Sequence, residues 1–227
     1  MKRKMIFIIA IFVFIVVGLL NSCRHKDKIV INVYAEDEIE LLVEKYAKRY
    51  EKTFDKYKVE VNKLDNFKDY NIIITNEENK VKTLNKNVKT RVFFEDKLVI
   101  IGRKKINDLE ELENFSLAMP ELDTNIGKIG LSLLSDLKSQ KKVLESTAYK
   151  DNVISSLQSV DLYEVDFALV TRSILYLAKN SSVCYTFSGD SRNKVLYKSY
   201  LVTRKSKDAK KFYQFLDDEI KEKNKKA

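Results

Sequence analysis

Residues 115–137 read FSLAMPELDTNIGKIGLSLLSDL. Phe115 to Ala118 is a short apolar strand, and the polar turn after Pro120 ends in Asp123, Thr124 and Asn125. Then Ile126, Ile129, Gly130, Leu133, Leu134 and Leu137 recur at the spacing of one helix face, the cleanest amphipathic stripe in the chain. The same strand–turn–helix alternation extends on both sides. Upstream, Ile29 to Tyr34 (IVINVY) reads as a buried strand, and Ile39, Leu42, Val43, Tyr46, Tyr50 and Phe54 give a helix. Lys58 to Asn62 and Asn71 to Thr75 (NIIIT) are two more strands, and Glu77 to Asn85 is a polar helix. Val88 to Phe94 and Lys97 to Gly102 are extended, followed by a short helix over Asp108 to Glu113. Downstream, a helix over Asp151 to Val160 precedes strands at Phe167 to Val170, Val183 to Phe187 and Val195 to Thr203. Ala209, Phe212, Tyr213, Leu216 and Ile220 mark a closing helix with a basic tail over 223–227. Strands alternating with helices predict an α/β fold on mostly parallel sheets.

The chain has 227 residues, 44% of them hydrophobic and 11% aromatic, enough to bury a core and exclude a disordered protein. Two cysteines exclude a disulfide scaffold or a Cys-rich zinc site. The single histidine, His25, excludes most His-dependent catalysis. No Gly-x-Ser-x-Gly, Gly-rich phosphate loop or metal-ligand spacing occurs, so no enzyme activity, cofactor or metal is expected. The net charge is +9, but the lysines are interspersed with acids along the helices, so a solvated surface is expected and not a nucleic-acid interface. Cys184, within SSVCYTF, is expected to be a buried strand thiol.

Lys2, Arg3 and Lys4 precede an apolar run from Met5 to Leu20, the layout of an export signal. As a helix that run spans roughly 24 Å, short of the ~30 Å hydrocarbon core. Leu20-Asn21-Ser22-Cys23 resembles the bacterial lipobox. The resemblance implies a signal peptide over 1–22 and acylation of Cys23, with an uncleaved anchor as the alternative. Residues 23–28 then form a tether holding the body near the extracytoplasmic face of the cell membrane.

Four segments carry a wider resemblance. They are Val30-Ile31-Asn32-Val33-Tyr34-Ala35 with its following helix, Phe93-Phe94-Glu95-Asp96-Lys97-Leu98-Val99-Ile100, the segment from Leu117 to Lys128, and Val165 to Ser173 (VDFALVTRS). In order and spacing they resemble the two-lobed solute-binding proteins of ABC importers, and among them the molybdate-binding family. The resemblance implies a type II periplasmic-binding-protein fold, each lobe a mixed sheet flanked by helices, with two hinge crossovers. Lobe 1 would take residues 29–94 and 186–222, and lobe 2 residues 95–185. It implies a monomer that closes on a small solute, an oxyanion in the molybdate binders, and passes it to a membrane permease.

The family's ligand positions fall on altered residues. Its first serine falls at about Glu38, beside Asp37. Asp37 with Glu40 fits a capping box, and the two acids read either as solvated helix-start groups or as contacts for a cationic or amine-bearing solute. The second serine's loop is shortened: Val61 to Asn71 holds Lys63, Asp65, Asn66 and Lys68, and no ligand position transfers. Asp123, Thr124 and Asn125 can each cap the helix from Ile126, and N–H groups from Asn125 to Gly127 can contact a ligand. Thr171 stands for the family's late tyrosine, with Arg172 after it. These departures leave two roles open: a solute binder with a changed ligand, or a surface lipoprotein with an interaction role and no small-molecule ligand.

Overall fold

A computed structural model describes residues 28–84, 88–202 and 206–226, with the side chains of 223–226 left aside. The signal peptide over 1–22, the acylated Cys23, and His25 with most of the tether lie outside the described residues. Among the described residues, no helix is long and apolar enough to cross a membrane.

Among the described residues, ten strands form two five-stranded sheets. The first holds β1 (Ile29–Ala35), β2 (Tyr57–Val61), β3 (Ile72–Thr75), β4 (Lys89–Asp96) and β10 (Val195–Leu201), in the order β2-β1-β3-β10-β4. The second holds β5 (Leu98–Gly102), β6 (Leu117–Pro120), β7 (Thr147–Lys150), β8 (Phe167–Thr171) and β9 (Ser182–Thr186), in the order β7-β6-β8-β5-β9. Both sheets are mixed. β1 runs parallel to β2 and β3, and β6 parallel to β7 and β8. The strands that carry the chain between sheets, β4 with β10 and β5 with β9, pair antiparallel.

Helices α1 (Glu40–Thr53), α2 (Glu78–Lys82), α3 (Asn125–Leu134), α4 (Gln140–Glu145), α5 (Val153–Asp161) and α6 (Lys207–Lys226) flank the sheets. α1 buries Val43, Tyr46, Ala47 and Tyr50. The Tyr50 ring meets Phe212 and Phe215 of α6 at 4.9 and 5.1 Å, and Tyr57 of β2 at 5.3 Å. Such close aromatic contacts add to the area they bury. In the second half α3 lies close on its sheet: a Cβ at Gly130 would meet Leu169 Cδ2 at 2.3 Å. Ile72, Ile73 and Ile74 of β3 and Phe167 to Val170 of β8 are fully buried, as expected for strands covered on both faces.

Two sequence expectations need correction, and two elements went unread. The apolar stripe runs on to Leu137, but α3 stops at Leu134, and Leu137 packs on the core from the loop beyond. α4 and β7 carry no sequence signal strong enough to be read. α4 buries only Val143, and β7 is half-exposed along its length. Cys184 is a half-buried free thiol on β9, an edge strand, and not a fully buried one. Burial pushes its pKa up, so it is held as a thiol.

The chain passes between the sheets twice. Lys97 alone separates β4 from β5, and residues 187–194 connect β9 to β10. Asn193, buried, ties the two passages together. Its Oδ1 accepts from the Leu98 N–H at 2.6 Å and its Nδ2 donates to the Leu98 carbonyl at 3.0 Å. Arg192 braces the return passage by donating to Ser132 O at 2.8 Å, while its Nη2 lies 2.6 Å from carboxylate oxygens of both Asp136 and Asp190. Asn193→Ala strands a buried donor and acceptor, so it is expected to lower unfolding stability by about 1–3 kcal/mol in denaturant titration. A variant as stable as wild type would show that this amide does not hold the passages.

Candidate functional site

The carboxyl ends of β1, β3, β6 and β7 converge on one gap between the two halves. The 3-10 turn Asp37–Ile39 follows β1, α2 follows β3, α3 follows β6 and α5 follows β7. Ligand clefts of open α/β sheets form at such strand ends. A cavity of about 250 Å³ lies there. Glu36, Glu38, Asn76, Glu77 and Lys80 line it from the first half, and Pro120, Asp123, Thr124, Ile126, Asp151, Asn152 and Val153 from the second. It therefore gathers five carboxylates against one lysine.

Local sequence sets each wall. Asn62 ends β2 with φ 51°, a left-handed conformation asparagine tolerates. Its side chain accepts from the Ala35 N–H at 2.9 Å and donates to the Ala35 carbonyl at 2.8 Å. This fixes the end of β1 just before Glu36. Glu36 takes Lys80 Nζ at 3.0 Å and the Tyr34 hydroxyl at 3.3 Å, and Thr75 Oγ1 donates to it as well. On the far side Thr124 caps α3, its Oγ1 accepting from the Gly127 N–H at 2.9 Å. Asn152 caps α5, accepting from the Ser155 N–H at 2.9 Å.

Glu38 is only 8% exposed. Its Oε1 accepts from the Tyr197 hydroxyl at 2.9 Å and from Asn76 Nδ2 at 3.2 Å. Burial, and then the charge on Glu36, pushes its pKa up to about 7. Burial and the Glu38 charge push the Tyr197 hydroxyl well above its usual range. The capping box read from Asp37 and Glu40 is not formed. The turn over Asp37–Ile39 and the start of α1 have no side-chain cap: the cap positions fall on Glu36, whose carboxylate is taken by Lys80 and Thr75, and on Ile39, which has no acceptor.

Glu77 closes the gap. Its backbone N–H donates to Thr75 Oγ1 at 2.9 Å, and its carboxylate accepts the N–H of Asn125, the first residue of α3. The halves also meet where the turn Asp37–Ile39 packs on α5 and on the 3-10 turn Arg172–Leu177.

The structure thus brings Glu38 and Thr124 to the same cavity, with Asn125 on an adjoining one. Gly127 lies beneath, where a Cβ would meet the Glu121 carbonyl oxygen at 2.0 Å. Asp37 is exposed, Thr171 is fully buried and Arg172 is exposed, and none of the three lines the cavity. Glu36, Asn76, Glu77, Lys80, Asp151 and Asn152 were not singled out from sequence as site residues. A carboxylate within three residues of a strand end, as in Thr75-Asn76-Glu77, was the available signal. Among the described residues no group of His, Cys, Asp and Glu is arranged to hold a metal ion.

No protein-family model and no curated protein matches the chain by sequence. Solved structures do match in fold. One is the substrate-binding domain assigned to a molybdenum ABC transporter from Clostridium difficile, with TM-score 0.65 and 18% identity, covering 82% of this chain and 91% of that one. Another is the periplasmic molybdate-binding protein of Azotobacter vinelandii, with TM-score 0.62 and 14% identity over 82% and 91%. A third is iron-bound HitA from Pseudomonas aeruginosa, with TM-score 0.57 and 12% identity over 83% and 79%. The two mixed sheets flanked by helices are the type II periplasmic-binding-protein fold.

A buried acid with a raised pKa keeps its proton in the folded state to a higher pH than in the unfolded chain. Between about pH 4.5, its unfolded value, and about pH 7 the unfolded state binds fewer protons. Stability from Glu38 is therefore full below pH 4.5 and is lost as pH rises to 7. Glu38→Gln is expected to match wild type near pH 4 and to exceed it at pH 8, by on the order of 3 kcal/mol. Thermal or denaturant unfolding at the two pH values checks this, and equal differences at both would contradict it.

Proposed function

We propose that this chain is the extracytoplasmic solute-binding component of an ABC importer, anchored by acyl chains on Cys23. Its cleft takes a small solute carrying positive charge. The excess of carboxylates in the cavity carries the ligand reading. An anion about 4 Å from one carboxylate meets repulsion of about 4 kcal/mol at an effective dielectric near 20. An ammonium gains the same sign-reversed term and donates charge-assisted hydrogen bonds. The volume suits a solute of about ten heavy atoms or fewer, smaller than a drug-sized ligand.

The fold supports the transport role. Neighbours of the same fold include a molybdate-binding periplasmic protein and a transporter's substrate-binding domain. Solute between the halves favours the closed arrangement, which a permease can distinguish from the open one. The role asks for binding and release alone, with no reaction, cofactor or nucleic acid, and for one copy of the chain. The expected lobe bounds, 29–94 with 186–222 and 95–185, are moved to the strand ends: β4 keeps Glu95 and Asp96 in lobe 1, β9 keeps Thr186 in lobe 2, and the passages at Lys97 and 187–194 are the proposed hinges.

One observation favours a second reading, a surface lipoprotein without a small-molecule ligand. Several cleft groups already satisfy one another: Lys80 on Glu36, Asn125 on Glu77, and Tyr197 on Glu38. Calorimetry separates the readings. Putrescine or spermidine is expected to bind at pH 8 and to weaken by up to about tenfold by pH 6, as Glu38 takes up a proton. Heat from molybdate or sulfate, and none from the amines, would overturn the cationic reading. Silence with all four would favour the second. For the anchor, wild type is expected to incorporate labelled palmitate and Cys23→Ser is not; label in the variant would contradict acylation at Cys23.

A further inference from the structure

Glu77 is the residue through which the first half directly addresses the helix start of the second. It leaves β3, while Asn125 opens α3 beyond β6. The Asn125 N–H belongs to the positive end of a ten-residue helix, where a free anion would be favoured. Here an anion is already present, delivered by the same chain from 48 residues away. The Gly127 N–H at the same helix end is taken by Thr124 Oγ1. Glu77 is itself held in place. Its backbone N–H sits on Thr75 Oγ1, and the Thr75 hydroxyl proton goes to Glu36, which Lys80 neutralises.

The surroundings sharpen the role. Glu77 and Asn76 line both the acidic cavity and a second one of about 440 Å³. That second cavity is walled by Lys82, Lys128, Lys194 and Lys198, with Glu78 paired to Lys198 among them. Glu77 is thus the carboxylate common to an acid-lined space and one where lysines outnumber acids.

We propose that Glu77 is a specificity-determining clasp: its carboxylate occupies the helix start that an anionic solute would use and holds the two halves together across the cleft. This inference rests on the cleft being the solute site. The mechanism is competition. A tethered carboxylate acts at a high effective concentration, and its charge repels a second anion from the same N–H group. Removing the side chain frees the N–H group, removes one negative charge and deletes the cross-cleft hydrogen bond in one step.

The experiment uses the full acylated chain in detergent, with spin labels at two exposed positions, Leu41→Cys on α1 and Leu162→Cys after α5, in a Cys184→Ser background. In Glu77→Ala the inter-label distance distribution is expected to shift and broaden without any solute, and molybdate affinity by calorimetry to rise at least tenfold over wild type. Glu77→Gln keeps the acceptor and loses the charge, so it is expected to hold the wild-type distance. Glu78→Ala is the control: it removes the same charge from the neighbouring residue, whose partner is Lys198. Both wild-type behaviours are expected there. A Glu77→Ala protein lacking either change overturns the clasp, as does Glu78→Ala reproducing both. Neither readout involves a cationic solute, so failure of amine binding leaves this test intact.

Discussion

Like charges crowded into a confined gap are the constraint on which the site depends. Five carboxylates face a cavity of about 250 Å³, and such a gap screens them less than bulk water does. The chain relieves the repulsion in three ways. Glu38, through its burial first and the Glu36 charge second, retains a proton to about pH 7. Glu36 is neutralised by Lys80. Glu77 is drawn to the positive end of α3. Asp123 and Asp151 face the cavity from the second half. In the proposed role an external cation is the fourth means of relief, and the one that turns electrostatic stress into binding.

The fold explains why these acids meet. Parallel strands end on the same side of a sheet, and each half turns two such ends toward the other. The connecting passages are short. Lys97 spans one of them, and the Asn193 amide stands in for a strand pairing at Leu98. Joins this short confine any relative motion of the halves to rotation about them, with Glu77, the turn Asp37–Ile39 and α5 at the contact. Proteins of the same fold include a molybdate-binding one and an iron-bound one. The residues at the strand ends, and not the scaffold, decide the charge of the ligand.

How much was legible in the sequence followed the range of the interactions. The Asn71 to Thr75 run announced a central strand because both faces of β3 are buried, and the α1, α3 and α6 stripes announced helices. α4, which buries only Val143, and β7, which is half-exposed, carried too little apolar periodicity to be read. Leu137 misled because periodicity reports burial, and a loop residue can be buried too. At the site, Glu38 and Thr124 were within reach because they follow strand ends. The inward turn of Glu38 was not, since it is fixed by Tyr197, 159 residues away. The cross-cleft role of Glu77 was hidden for the same reason: its partner is a backbone N–H on another helix.

The central claim is that burial and crowded charge together strain the cleft carboxylates, and Glu38 is the most direct reporter of both. Carbon-detected NMR titration of the Glu38 carboxyl group, before and after addition of putrescine, measures it. The account expects a midpoint near 7 that falls when the diamine binds. A midpoint at the ordinary carboxylate value, unmoved by the diamine, would contradict it.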